Sequence, residues 1–159
     1  MASPPTTASP CGMAFDPQGN IYVSYPQINR IYKQNVLYFD NVFDNVALKT
    51  PMGLCYMNNT LYIANWGDSK ILGYNGSTIF TCQVPKRPCG LCSIGNTLYI
   101  CGEDSIYSLT ATNRNVVAIK QKTDSDFMFM CTDGVLLYIC DTFTKSTIGF
   151  NTQTGEFVV

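Results

Sequence analysis

The sequence predicts an all-β chain, a β-propeller of four four-stranded blades. Three observations predict it. A phrase recurs four times, in which a start with glycine in three copies and Phe129 in the fourth leads nine or ten residues later into a Leu/Ile-Tyr-Val/Ile triplet centred on Tyr22, Tyr62, Tyr99 and Tyr138. The tyrosines are 40, 37 and 39 residues apart, a period at which repeated units must stack to bury a core. Within each copy, short apolar runs alternate with Gly, Asn and Asp turns, and no stretch keeps a helical period, so each copy reads as an antiparallel meander.

Residues 1–10 are rich in Pro, Ser and Thr and read as a flexible lead-in, with neither the basic nor the apolar region of a signal peptide. The first blade spans about 11–50. It opens on Pro10-Cys11-Gly12-Met13-Ala14, turns at Gly19-Asn20, and continues through Ile21-Tyr22-Val23, Arg30-Ile31-Tyr32 and Val36-Leu37-Tyr38-Phe39. The second, about 51–87, shows the plan most clearly. Gly53-Leu54-Cys55-Tyr56, Leu61-Tyr62-Ile63-Ala64-Asn65, Lys70-Ile71-Leu72-Gly73-Tyr74 and Ser77-Thr78-Ile79-Phe80-Thr81-Cys82 are its strands, and Asn75-Gly76 is a favoured hairpin turn. The third, about 88–126, opens on Pro88-Cys89-Gly90-Leu91-Cys92 and runs through Leu98-Tyr99-Ile100, Ser105-Ile106-Tyr107-Ser108-Leu109 and Val116-Val117-Ala118-Ile119. The fourth, about 127–159, is degenerate at its start, Met128-Phe129-Met130-Cys131, where Phe129 replaces the glycine. It goes on through Leu137-Tyr138-Ile139, Thr147-Ile148-Gly149-Phe150 and Phe157-Val158-Val159. Four blades can close as a small ring. They can also form half of a larger ring completed by self-association, because uncovered apolar blade faces are sticky.

The phrase Pro-x-Gly-Leu/Met-Ala/Cys, followed by x-Leu/Ile-Tyr-Val/Ile and Ile-x-x-Tyr/Phe, resembles the repeat of NHL-type β-propellers from Cys11 onward. The acidic residue usual after the second strand is kept as Asp141, while Tyr25, Asn65 and Gly102 hold the matching positions. The resemblance implies a rigid scaffold displaying variable loops. In some regulatory proteins such propellers bind RNA through a basic face. Propeller enzymes that look like this place a metal or catalytic residues on the axis.

Composition narrows the function classes. The chain has 159 residues, is 46% hydrophobic and 13% charged, and carries a formal net charge of −1. That balance disfavours nucleic acid and anionic lipid as partners; Lys70, Lys86, Arg87, Arg114, Lys120, Lys122 and Lys145 are scattered over strands and turns. No apolar run approaches the roughly 18 residues of a membrane span. With no histidine, Ser-His-Asp and Cys-His catalysis and the common zinc sites are unavailable to this chain.

Eight cysteines raise a metal or redox reading, centred on Cys89-Gly90-Leu91-Cys92. A second such pair is missing, however. Repeat equivalence gives another reading. Cys55, Cys92 and Cys131 share a position that Ala14 fills in the first copy, and Cys101 and Cys140 share one filled by Ser24 and Ala64. Both are small-residue positions where blades converge, a packing role that cysteine serves well. Cys11, Cys82 and Cys89 lie outside these sets and keep a disulfide reading open. Unpaired thiols in packing roles favour a reducing, cytoplasmic setting over a secreted one.

The candidate binding residues are Tyr25, Asn65, Trp66, Glu103, Asp141 and Phe143, which all follow second strands and so gather at one end of the blades. Asp68 and Asp104 lie beside them, and Asn65 and Asp141 are the weak candidates for a cation. No cofactor is expected. The leading functional reading is a non-enzymatic protein-interaction and assembly module whose partner is a protein or a second copy. The alternatives are a small propeller lyase or hydrolase, with Asn65, Glu103 and Asp141 converging on an axial divalent cation, and an RNA-binding propeller.

Overall fold

The computed structural model describes residues 4–34, 39–41 (backbone only), 48–77 and 79–158. Among these residues sixteen strands form four antiparallel sheets, each a meander in chain order. Blade 1 holds β1 (Met13–Phe15), β2 (Ile21–Tyr25), β3 (Arg30–Gln34) and β4 (Phe39–Asn41). Blade 2 holds β5 (Pro51–Met57), β6 (Thr60–Asn65), β7 (Lys70–Tyr74) and β8 (Ile79–Gln83). Blade 3 holds β9 (Gly90–Ile94), β10 (Thr97–Gly102), β11 (Ser105–Thr110) and β12 (Val116–Gln121). Blade 4 holds β13 (Phe127–Thr132), β14 (Leu136–Asp141), β15 (Ser146–Asn151) and β16 (Glu156–Val158).

The predicted strands appear with shifted ends. The fourth strand of blade 1 is described only over Phe39–Asn41; Val36, Leu37 and Tyr38, expected in it, lie outside the described residues, as does Val159 in blade 4. Two 3₁₀ turns, Pro26–Ile28 and Trp66–Asp68, were not anticipated. Each ends in a left-handed residue, Asn29 (φ 52°) and Ser69 (φ 56°), which reverses the chain into the third strand. Near the N-terminus, Ala8 packs on the Val23, Tyr25 and Tyr32 side of blade 1, and the Cys11 N–H donates to the Ser24 carbonyl.

Register explains the packing. Ala14 faces Tyr22, Cys55 faces Tyr62, Cys92 faces Tyr99 and Cys131 faces Tyr138. Side chains alternate between the two faces of a strand, so one face of each blade looks to the blade before it and the other to the blade after. Ala14, Tyr22 and Ile31 of blade 1 thus meet Leu54 of blade 2 in one core. Cys55, Tyr62, Ala64 and Ile71 meet Leu91, Leu98 and Ile100 in the next. Cys92, Cys101 and Ile106 meet Leu137, Ile139 and Phe150 in the third.

The first strands stack along the axis, β1 on β5, β5 on β9 and β9 on β13. The repeat glycines permit this. A Cβ at Gly12 or Gly53 would collide with the carbonyl oxygen of Met52 or Cys89, and one at Gly90 would stand 2.9 Å from that of Met128. The small residue on the second strand adds a donor to the same joint. Ser24 Oγ bonds the Met52 carbonyl at 2.6 Å, and Cys101 Sγ bonds the Met128 carbonyl at 3.7 Å.

The four blades form an open arc. Among the described residues β1 and β13 share no packing comparable to the other first-strand pairs. The two end faces show the consequence. Met13 is 64% exposed where its counterpart Leu54 is 5% exposed, and Tyr138 is 36% exposed where Tyr62 is 2%. Cys131 and Cys140 are exposed, whereas Cys55, Cys92 and Cys101, which fill the same repeat positions, are buried. Among the described residues no helix is long and apolar enough to cross a membrane.

Candidate functional site

The connections after the second strands and before the first strands gather at one end of the arc. Between blades 2, 3 and 4 they enclose an open trough of about 470 Å³, floored by Met52, Cys89, Phe127 and Met128 and rimmed by Trp66, Arg87, Glu103 and Asp126. Thr50 and Met52 also border a second hollow, with Cys11, Pro26 and Asn29, so the trough runs on toward blade 1. The 3₁₀ turn Trp66–Asp68 half-buries the indole. The Arg87 guanidinium lies over that ring at 4.4 Å from its centroid, while the Arg87 N–H donates to Glu103 Oε1 at 3.3 Å. Glu103 takes a left-handed φ of 54°, which turns its side chain off the end of β10.

The structure therefore brings together two of the six candidates, Trp66 and Glu103. Tyr25 is buried, its ring edge-on to Tyr32 at 5.4 Å. Phe143 is 63% exposed and does not line the trough. Asn65 and Asp141 are buried and hold the connections that lead into their blades. Asn65 Oδ1 accepts the Lys49 N–H at 2.8 Å, and its Nδ2 donates to Asp68 at 2.8 Å. Asp141 Oδ1 accepts the N–H groups of Asp126 at 2.9 Å and Phe143 at 3.1 Å, and Oδ2 is buried. The two residues do one job at one repeat position, fastening the strand that enters the blade. At the same position in blade 3, Gly102 leaves room for the incoming chain, since a Cβ there would collide with the Arg87 carbonyl. Among the described residues no three His, Cys, Asp or Glu side chains gather closely enough to hold a metal ion.

The sequence reading missed Met52, Cys89 and Met128 as lining residues. A signal for them exists. Each immediately precedes the repeat glycine or its replacement, and Cys11 does the same beside the second hollow. The tight first-strand stacking aims this position at the axis in every blade.

Titration behaviour follows burial and donors. Burial pushes the Cys89 thiol up to about 12 and the fully buried Cys101 well above its usual range. For Asp141, burial works upward, but the Asp126 N–H and the Thr144 and Ser125 donors outweigh it and hold the carboxyl at about 2. Asp104 is likewise held at about 2 against burial by Lys86, Ser105 and Gln121. Both pKa values are depressed below the unfolded value. Their stabilisation is therefore complete above about pH 4 and is lost as the pH falls toward 2. The melting temperature should be flat from pH 7 to about 5 and drop steeply below about 4. In Asp141→Asn, where the amide repeats the Asn65 arrangement, that acid slope should be shallower while the neutral-pH value stays near the parent's. An unchanged slope would assign the acid limb to other carboxylates.

No known protein family and no curated protein sequence matches the chain. Solved structures do resemble it. A streptogramin B lyase superposes over 95% of the chain with a TM-score of 0.80 at 16% identity. A catalytically inactive virginiamycin B lyase from Staphylococcus aureus, in which alanine replaces one histidine, superposes over 98% with a TM-score of 0.81 at 16% identity. The chain spans 54% and 56% of the length of these proteins. The computationally designed Ika4 protein matches over 94% of this chain and 95% of its own, with a TM-score of 0.70 at 8% identity. At these identities the likeness is one of fold.

Proposed function

We propose that this chain is a non-enzymatic protein-interaction and assembly module, an arc of NHL-like blades that works through its uncovered end faces and the trough on its loop end. One observation carries the reading. Repeat positions buried at the internal joints stand exposed at both ends of the arc, Met13 on one and Cys131, Tyr138 and Cys140 on the other, and Phe15 is 62% exposed where its counterpart Tyr56 is half-buried. Apolar positions left open at the end of a repeat array are surfaces for another protein.

The trough supports the same reading. Its apolar floor, the Trp66 ring and the flanking Arg87, Glu103 and Asp126 suit the mixed chemistry of a protein side chain. Its one thiol, Cys89, is held un-ionised at neutral pH by burial and so lacks the thiolate that acts as a nucleophile. The lyase relative is described as inactive once a histidine becomes alanine, and this chain has no histidine to take that part. Against RNA, Lys33, Lys70, Lys86 and Lys120 pair with Asp16, Asp68, Asp104 and Glu156, and Arg87 and Arg114 lie over Trp66 and Phe80. Those cations are engaged within the fold. The eight unbridged thiols suit a reducing, cytoplasmic setting. The test is whether Cys131 and Cys140 become protected from alkylation when the chain is concentrated or a partner is added.

A further inference from the structure

We propose that two copies of this chain join head to tail, the free face of blade 1 seating on the free face of blade 4, so that two arcs close one ring. This rests on the assembly reading above and names its partner. The argument is one of equivalence to a joint the chain already contains. Between blades 1 and 2, Leu54 packs among Ala14, Tyr22 and Ile31, and the Tyr56 ring stacks on Tyr22 at 6.2 Å and 18°. By register, Met13 and Phe15 hold the places of Leu54 and Tyr56, and Cys131 and Tyr138 hold those of Ala14 and Tyr22. Both halves of the joint are thus present on one chain. The blade 4 half is open at Cys131, Tyr138 and Cys140, and the blade 1 half is open at Met13 and Phe15. Val23, Tyr25 and Tyr32 of the blade 1 face are buried with Ala8 packed on them, so a second copy must seat beside the lead-in or displace it. Met13 has a seat beside the small Cys131 of a second copy, and Phe15 has a ring, Tyr138, to stack on.

Length and curvature fit the same partner. The arc superposes on lyases of which it spans 54% and 56%, so two arcs supply about as much chain as one such protein. A head-to-tail contact gives a closed ring when its rotation closes, and coverage of 54% and 56% of ring-forming folds is near the half that each of two copies must supply.

Blade 4 departs from the other blades in two ways that set the strength of this joint. Phe129 stands where Gly12, Gly53 and Gly90 let the next first strand approach. Thr147 stands opposite Cys140 where Ile31, Ile71 and Ile106 stand opposite Ser24, Ala64 and Cys101. The joint between copies is therefore held apart at the Gly12 end and closed at the Phe15 end, with less apolar contact than an internal joint. It is a reversible contact.

The test combines covalent trapping with mass in solution. Met13→Cys, oxidised at high concentration, should give a dimer whose linking peptide joins residue 13 to Cys131 or Cys140. Phe15→Asp and Tyr138→Asp should each weaken self-association by about tenfold or more, the loss expected for a buried aromatic contact. An equimolar mixture of the two should recover dimer, because one intact blade 1 face and one intact blade 4 face remain. Phe129→Gly should tighten association by about tenfold. Met13, Phe15 and Tyr138 are exposed and Phe129 is half-buried, and each variant is checked for the parent's melting temperature. Residue 13 linked to residue 13, a mixture that stays monomeric, or a parent that stays at 17.6 kDa would overturn the proposal. Protection of Cys131 and Cys140 without the residue 13 link would overturn it while leaving the broader assembly reading in place.

Discussion

Gly90→Val is expected to cost about 3 kcal/mol and to lower the melting temperature by roughly 6–12 °C. The cause is backbone proximity. A Cβ at Gly90 would stand 2.8 Å from Cys101 Sγ and 2.9 Å from both the Met128 carbonyl oxygen and the Met130 nitrogen, two of them main-chain atoms that cannot rotate away. Relief requires β9 and β13 to part, and that opens the core shared by blades 3 and 4. Gly53→Val should act alike at the joint between blades 2 and 3, where the obstacle is the Cys89 carbonyl. Gly76→Ala is the contrast. Its Cβ meets nothing within 4 Å, but φ is +98°, so the cost is the left-handed backbone alone, about 1 kcal/mol. If Gly90→Val and Gly53→Val melt like the parent, the first strands do not stack as described.

Phe150→Ala should cost about 3–5 kcal/mol, among the largest effects of any single truncation. Phe150 is fully buried at the joint of blades 3 and 4, edge-on to Phe157 at 5.4 Å, in a core with Cys92, Cys101, Leu137 and Ile139. Its removal leaves a cavity between two sheets, and β16, only Glu156–Val158, loses the ring that pins it. Against a total stability of about 5–15 kcal/mol, the variant should be poorly folded near body temperature. Phe143→Ala is the control, because that ring is 63% exposed and its loss should shift stability by no more than about 0.5 kcal/mol. Chemical denaturation of the two variants side by side measures both.

The architecture was legible because it is written four times. Tyr22, Tyr62, Tyr99 and Tyr138 fix the period, and register places each of them opposite its small residue. The small-residue reading of Cys55, Cys92 and Cys101 holds for the same reason, since these are the buried positions between blades. Cys131 and Cys140 share the pattern and are exposed. A repeat states what a position needs when a neighbour is present, and it does not state whether the neighbour is there.

The site was less legible. Asn65 and Asp141 attracted attention as polar residues after a strand, but their oxygens serve the Lys49 and Asp126 N–H groups in the connections that lead into their blades. Polar side chains that fasten loops look the same in sequence as polar side chains that await a ligand. The Trp66–Arg87 contact links residues 21 apart in sequence, and only the folding of blade 3 against blade 2 brings them together. Phe129 reads as a degenerate repeat in sequence. In the fold it stands at the end of the arc, at the position where the other three blades need glycine for the next blade.

The most direct measurement is the order in which the eight thiols react with an alkylating agent, read by peptide mass spectrometry at a series of protein concentrations. The open arc predicts that in dilute solution Cys131 and Cys140 are modified first, with Cys89, Cys92 and Cys101 slow because they are buried and un-ionised. It further predicts that Cys131 and Cys140 alone become protected as concentration rises. If these two are protected at every dilution, or remain reactive however concentrated the protein, the end face of blade 4 is not the assembly surface of this chain.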